Sequence, residues 1–93
     1  MKIYTINLQG RVVALKDPIE IDLNEEWLNG KHFYTLHSKE FGLYALHNNI
    51  ESARESIKYG LDLMINSYLF EPDYIVSEKA MKLRNVMKRH IYG

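Results

Sequence analysis

The sequence predicts an α+β fold: an antiparallel β-sheet of three to five strands followed by two helices, the first packed on the sheet. Three observations carry this expectation. Residues 19–27, IEIDLNEEW, alternate between apolar and polar with a period of two. Asn29-Gly30 follows as a two-residue hairpin signal, because both central residues of a type I′ turn need positive φ. From residue 49 the apolar spacing lengthens to three and four, the period of a helix. The 93 residues read as one domain, with the sheet over 2–47, a helix over 49–69 and a basic carboxy-terminal helix over 77–91.

In chain order, KIYTINL (residues 2–8) alternates, with Ile3, Thr5 and Asn7 on one side and Tyr4, Ile6 and Leu8 on the other. Gln9-Gly10 offers a turn, and Arg11 to Leu15 returns as a second strand. Asp17-Pro18 reads as a break, since proline constrains the residue before it. In the third strand Ile19, Ile21 and Leu23 share one face and Glu20, Asp22 and Asn24 the other. His32 to His37 returns, Gly42 permits a tight bend, and Leu43 to Leu46 closes the sheet.

Asn48 or Asn49 starts the first helix. Asn48 would place Glu51 for a capping-box-like pair; Asn49 would place it in the first turn, where the helix dipole favours an acid. The apolar stripe Ile50, Ala53, Ile57, Leu61, Met64, Ile65 and Tyr68 needs a sheet to cover it. Glu71-Pro72-Asp73 ends the helix, and Tyr74 to Val76 is short enough to pair at a sheet edge. Ser77 caps the last helix, with Ala80, Leu83, Arg84, Met87 and Ile91 along one side.

Composition narrows the function. An apolar fraction of 46% supports a packed core, while so short a chain buries only about 60–65% of its unfolded surface, so association with a copy or a partner would help. A formal net charge of zero argues against a polybasic nucleic-acid coat or membrane binder. Without cysteine there is no disulfide and no thiolate metal site. The opening MKIYTINLQG has no long apolar run and no window suits a membrane span, so a cytoplasmic location is expected.

No GxSxG, Walker loop, GxGxxG or HExxH is present, so no enzyme activity, cofactor or metal is expected. Of the histidines, His37 and His47 could meet across adjacent strands as a ligand pair, but they read first as polar residues at strand ends. The acids Asp17, Glu20, Asp22, Glu25 and Glu26 crowd one hairpin arm. They read as a solvated face, as cation ligands, or as a patch that meets a basic protein. The last helix sets Lys79, Lys82, Arg84, Lys88, Arg89 and His90 against one acid, Glu78. Lys82, Arg84, Lys88 and Arg89 could contact phosphates, although a helix-turn-helix needs a second helix packed across the first. Tyrosine and methionine, abundant here, suit interfaces as well as cores.

The segment KEFGLYALHNNIESARESI (residues 39–57) resembles the strand-loop-strand-helix unit of HicB-like antitoxin domains. Glu40-Phe41-Gly42 stands for the family's Glu-Leu-Gly step, Leu43 to Leu46 for its strand, Asn49 for its cap and Glu51-Ser52-Ala53 for its Glu-Glu-Ala. Ile19 to Glu26, the Asn29-Gly30 turn and Phe33 to Leu36 match the first hairpin, so the likeness covers roughly residues 17–70. Small single-domain relatives carry an extra amino-terminal strand pair and end in a lysine-rich segment similar to SEKAMKLRNVMK.

The resemblance implies a partial ribonuclease-H-like sheet and helix without the catalytic acids. It implies a chain that neutralises a cognate toxin, commonly a small ribonuclease, by covering its active surface, and that forms homodimers or higher oligomers. The family's carboxy-terminal DNA-binding module has no room after Leu69, so operon autoregulation is not expected, and His47-Asn48 departs from the pair usual before the cap. The partner-binding candidates are Glu20, Asp22, Glu25, Glu26, Arg84 and Met87. The alternatives are a nucleic-acid binder using the basic helix and a homo-oligomeric structural domain.

Overall fold

A computed structural model describes residues 1–72, 74 and 77–93. Five strands precede two helices: β1 (Lys2–Leu8), β2 (Arg11–Glu20), β3 (Asp22–Leu28), β4 (Lys31–Ser38), β5 (Leu43–His47), α1 (Ile50–Phe70) and α2 (Glu78–Tyr92). All strand pairs are antiparallel, and they divide into a two-stranded ladder, β1-β2, and a three-stranded one, β3-β4-β5. The two ladders share one length of extended chain, since only Ile21 separates β2 from β3. Ile21 donates to the Met1 carbonyl at 2.8 Å, and the Met1 ammonium donates back to the Ile21 carbonyl at 3.0 Å.

Both hairpins turn as their sequences require. Gln9 and Gly10 have φ of 49° and 84°, and Asn29 and Gly30 have 53° and 77°. These left-handed pairs match the twist of the flanking strands. Glutamine seldom adopts such a φ, and this turn is tied down from outside. The Gln9 N–H donates to Asn66 Oδ1 at 2.7 Å, Asn66 Nδ2 donates to the Asn7 carbonyl at 2.6 Å, and the Asn7 N–H donates to Asp62 Oδ1 at 2.9 Å. One amide of α1 thus imitates a neighbouring strand at the end of β1.

Two strand expectations need correcting. The alternation in β1 is not continuous: Ile3 and Ile6, three residues apart, are both buried, because the register shifts between Ile3 and Thr5. Asp17-Pro18 does not end the second strand. Ile3 pairs with Ile19 and Thr5 with Ala14, so residues 15–18 bulge opposite Tyr4 while β2 runs on to Glu20. A bulge accepts a proline because its nitrogen owes the ladder no hydrogen bond.

Asn49 caps α1, its side chain accepting from the N–H groups of Glu51 and Ser52. The buried face is Ala53, Ile57, Leu61 and Ile65, with Ile50, Met64 and Tyr68 half-buried beside it. This face packs on β5, β4 and β1 over Ile6, Leu36 and Ala45. Ser77 caps α2 by accepting from the Ala80 N–H, and α2 packs on β2 and α1 through Met87 and Ile91. The edge strand expected over Tyr74 to Val76 includes Ile75 and Val76, which lie outside the described residues. Neither helix packs substantially on β3, all of whose residues are exposed. The hairpin therefore lengthens the molecule: its radius of gyration is 14.4 Å, against about 12 Å for a compact domain of this length.

Two neighbours in α1 test this packing. Ile65→Ala empties a fully buried position and should cost about 2–5 kcal/mol in urea unfolding. Leu63→Ala, at a position 55% exposed, should stay within about 0.5 kcal/mol of the parent.

Candidate functional site

The register assigns each side chain of the β3–β4 hairpin to a face. Leu23, Leu36 and Ala45 stand opposite one another across the three strands, and Leu36 and Ala45 are buried on the side that meets α1. By the two-residue period Glu25, Trp27, His32 and Tyr34 occupy the same face further out, past the helix. There the rings form a chain: Trp27 and His32 have centroids 4.8 Å apart, and His32 and Tyr34 4.7 Å. Glu25 Oε2 lies 3.7 Å from His32 Nε2. Trp27 is 71% exposed, so this strip is a wet aromatic surface bordered by acid. On the opposite face stand Asp22, Asn24 and Glu26, level with His37, Thr35 and Phe33.

All four predicted acids are exposed, and they divide by neighbour. Glu20 Oε1 lies 3.5 Å from Lys2 Nζ, and Asp22 Oδ2 lies 3.5 Å from Lys39 Nζ. These two acids line a shallow cavity of about 310 Å³ at the root of the hairpin, together with Asp17, Glu40, Arg89 and His90. Glu25 and Glu26 stand on the projecting part, away from any lysine or arginine in ion-pair range among the described residues.

A charged cluster beside that cavity fastens α2 to the sheet. His90 is 3% exposed; its Nδ1 lies 2.7 Å from the Asp17 carbonyl oxygen and its Nε2 2.6 Å from Glu40 Oε1. Each ring nitrogen thus faces an oxygen from a different element. Arg89 Nη2 donates to Glu40 Oε2 at 2.7 Å, and Arg89 Nε lies 3.8 Å from Asp17 Oδ2. The bulge in β2 brings Asp17 here, and the β4–β5 loop brings Glu40. Both ring nitrogens of His90 and both carboxylate oxygens of Glu40 are engaged, which marks a joint between elements.

The basic helix is not one surface. Arg84 is 4% exposed: its Nε donates to the Tyr68 carbonyl at 2.8 Å and its Nη2 to the Glu71 carbonyl at 2.6 Å. These are orphan carbonyls at the end of α1, whose last turn holds no basic residue of its own. Arg84 and Met87, expected among the partner contacts, are core residues instead, Met87 being fully buried. Arg89 is engaged in the cluster, and Lys82 and Lys88 point roughly 120° apart around the helix. Lys82 borders a separate apolar hollow with Lys39, Lys79, Phe41, Leu83 and Val86.

His37 and His47 do not meet as a ligand pair, as their reading as polar strand residues expects. His37 stands opposite Tyr44 and His47 opposite Tyr34, on opposite faces of the sheet. Among the described residues no group of three histidine or acidic side chains could hold a metal ion, and no helix is long and apolar enough to cross a membrane. The aromatic strip and the His90 cluster escaped the sequence reading. The sign of the second lay in the helical period, which sets His90 beside Met87 and Ile91.

Comparison of the chain with protein-family models, with curated proteins and with solved structures finds no match. Fold and surface together define a small α+β domain that projects an acidic, aromatic hairpin.

Arginine 84 and lysine 88 should behave as different kinds of residue. Arg84→Met removes charged hydrogen bonds from half-buried carbonyls and should cost about 2–3 kcal/mol in urea unfolding. Lys88→Ala, on the surface, should stay within about 0.5 kcal/mol.

Proposed function

We propose that this chain is a stoichiometric binding module of the antitoxin type, which captures a small basic protein and covers its working surface. The observation that carries the reading is the β3–β4 hairpin, which holds Glu25, Glu26 and Trp27 in solvent beyond the reach of either helix. Side chains so placed contribute little to the chain's own stability and are free for a partner. Acids on such an arm attract a basic surface from a distance and set its orientation, while Trp27 and Leu23 supply apolar area at the centre. A ribonuclease toxin has the required chemistry, since a surface that grips RNA is itself basic, and the likeness to HicB-like domains points the same way. Binding through the basic helix is the weaker reading, because Arg84 and Arg89 are already engaged within the fold.

The test is capture from the native cytosol at moderate salt with the tagged chain, followed by an RNA-cleavage assay on the captured protein. One small basic protein should co-elute in stoichiometric amount, and adding the chain back should stop its cleavage of RNA. The Glu25→Lys/Glu26→Lys variant should bind it at least about tenfold more weakly, and Lys82→Ala/Lys88→Ala should bind as the parent does. Loss of capture in Lys82→Ala/Lys88→Ala with capture kept in Glu25→Lys/Glu26→Lys, or release of nuclease-sensitive material in place of a protein, would overturn the reading.

A further inference from the structure

The hairpin has an edge as well as two faces, and its hydrogen bonds can be assigned. In a two-residue hairpin the residues flanking the turn form the closing hydrogen-bonded pair, here Leu28 and Lys31. By the alternation of an antiparallel ladder, Glu26, Asn24 and Asp22 also turn their backbone groups toward β4. Leu23, Glu25 and Trp27 turn theirs the other way. Ile21, two residues before Leu23, uses that same edge for its reciprocal bonds with Met1. The open edge of β3 is therefore the continuation of the line along which β1 pairs with β2, with no strand beside it from Leu23 onward among the described residues.

We propose that this edge is a docking slot for an extended basic segment of a partner protein, which adds to β3 as an antiparallel strand in line with β1. The proposal rests on the binding reading above and names the chemistry of the contact. The chain already shows the pattern in its own ladder, where Lys2 stands opposite Glu20 with Nζ 3.5 Å from the carboxylate. Beyond that point β3 offers Asp22, Glu25 and Glu26 at successive acidic rungs and Leu23 and Trp27 at apolar ones. An antiparallel segment fits when it reads, in chain order, apolar, basic, basic, polar, apolar, basic, opposite Trp27, Glu26, Glu25, Asn24, Leu23 and Asp22. Its backbone bonds give affinity in any sequence, and the charged and apolar rungs select the register.

A second copy of the chain is disfavoured in the central registers of the slot. A two-fold pairing of β3 centred on Asn24 sets Asp22 against Glu26, one centred on Glu25 sets that residue against itself, and one centred on Glu26 does the same there. Like charges directly opposite are unfavourable, so the acids that would welcome a basic strand also discourage self-pairing.

Trp27 is the single tryptophan, so its fluorescence reads the slot directly. The probe is a synthetic octapeptide that ends in Val-Lys-Arg-Thr-Val-Lys, so that it stops short of Met1, titrated into the full chain. A saturable change in Trp27 emission is expected. Methylating the peptide nitrogens of both valines and the arginine, which face β3, should weaken binding at least about tenfold. Methylating those of the threonine and lysines, which face away, should leave it within about threefold. The Glu25→Lys/Glu26→Lys variant should also bind at least about tenfold more weakly. No saturable change, or equal binding of the two methylated peptides, would overturn the docking mode. If captured protein in the preceding experiment still depended on Glu25 and Glu26, the binding reading would stand and only the strand-addition mode would fall.

Discussion

Between Glu20 and Asp22 the extended chain exchanges one neighbour for another, and the paired hydrogen bonds of Ile21 with Met1 mark the exchange. Most of the architecture depends on this change of partner. Before it, the chain belongs to a two-stranded ladder covered by α2 and by the far end of α1. After it, the same chain belongs to a three-stranded ladder that α1 covers only near its root. Ile19 and Ile21 are fully buried at the crossing, and Leu23, two residues on, is 43% exposed. Burial falls off along one strand because the helices end, and the projecting hairpin is what remains uncovered.

The charged residues divide along the same boundary. Near the core they are spent on joints. Arg84 closes the carboxy-terminal end of α1, and His90 with Arg89 ties α2 to the β2 bulge and the β4–β5 loop. A buried charge is tolerated only with its hydrogen bonds made, and no described buried side-chain nitrogen or oxygen lacks a partner. On the hairpin the acids have no such task. A zero net charge therefore conceals a local division, with Arg84 and His90 buried in joints and Glu25 and Glu26 exposed on the projecting arm.

How much of this was legible in the sequence follows from whether the cause is local. The cap at Asn49, the stripe from Ala53 to Ile65, the Ser77 cap and both left-handed turns arise from interactions within a few residues, and they stand where the sequence places them. The division into two ladders was not legible, because it depends on a bulge pairing residues far apart in the chain, and Asp17-Pro18 reads locally as a break. Arg84 shows an intermediate case. Its place on the stripe with Ala80, Met87 and Ile91 pointed inward, while its charge pointed outward. The carbonyls of Tyr68 and Glu71, invisible in the linear sequence, decide between them. The acids of the candidate site were legible as a group, but their separation into a root beside lysine and a tip away from it needed the positions of Lys2 and Lys39.

The central claim is that β3 has an open edge. Amide hydrogen exchange by NMR on the free chain tests it most directly. The account predicts alternation along one strand: the amides of Asn24 and Glu26, bonded to β4, exchange slowly, and those of Leu23, Glu25 and Trp27 exchange at rates close to solvated backbone. Uniform slow exchange from Leu23 to Trp27 would contradict it, since the edge would then already be covered.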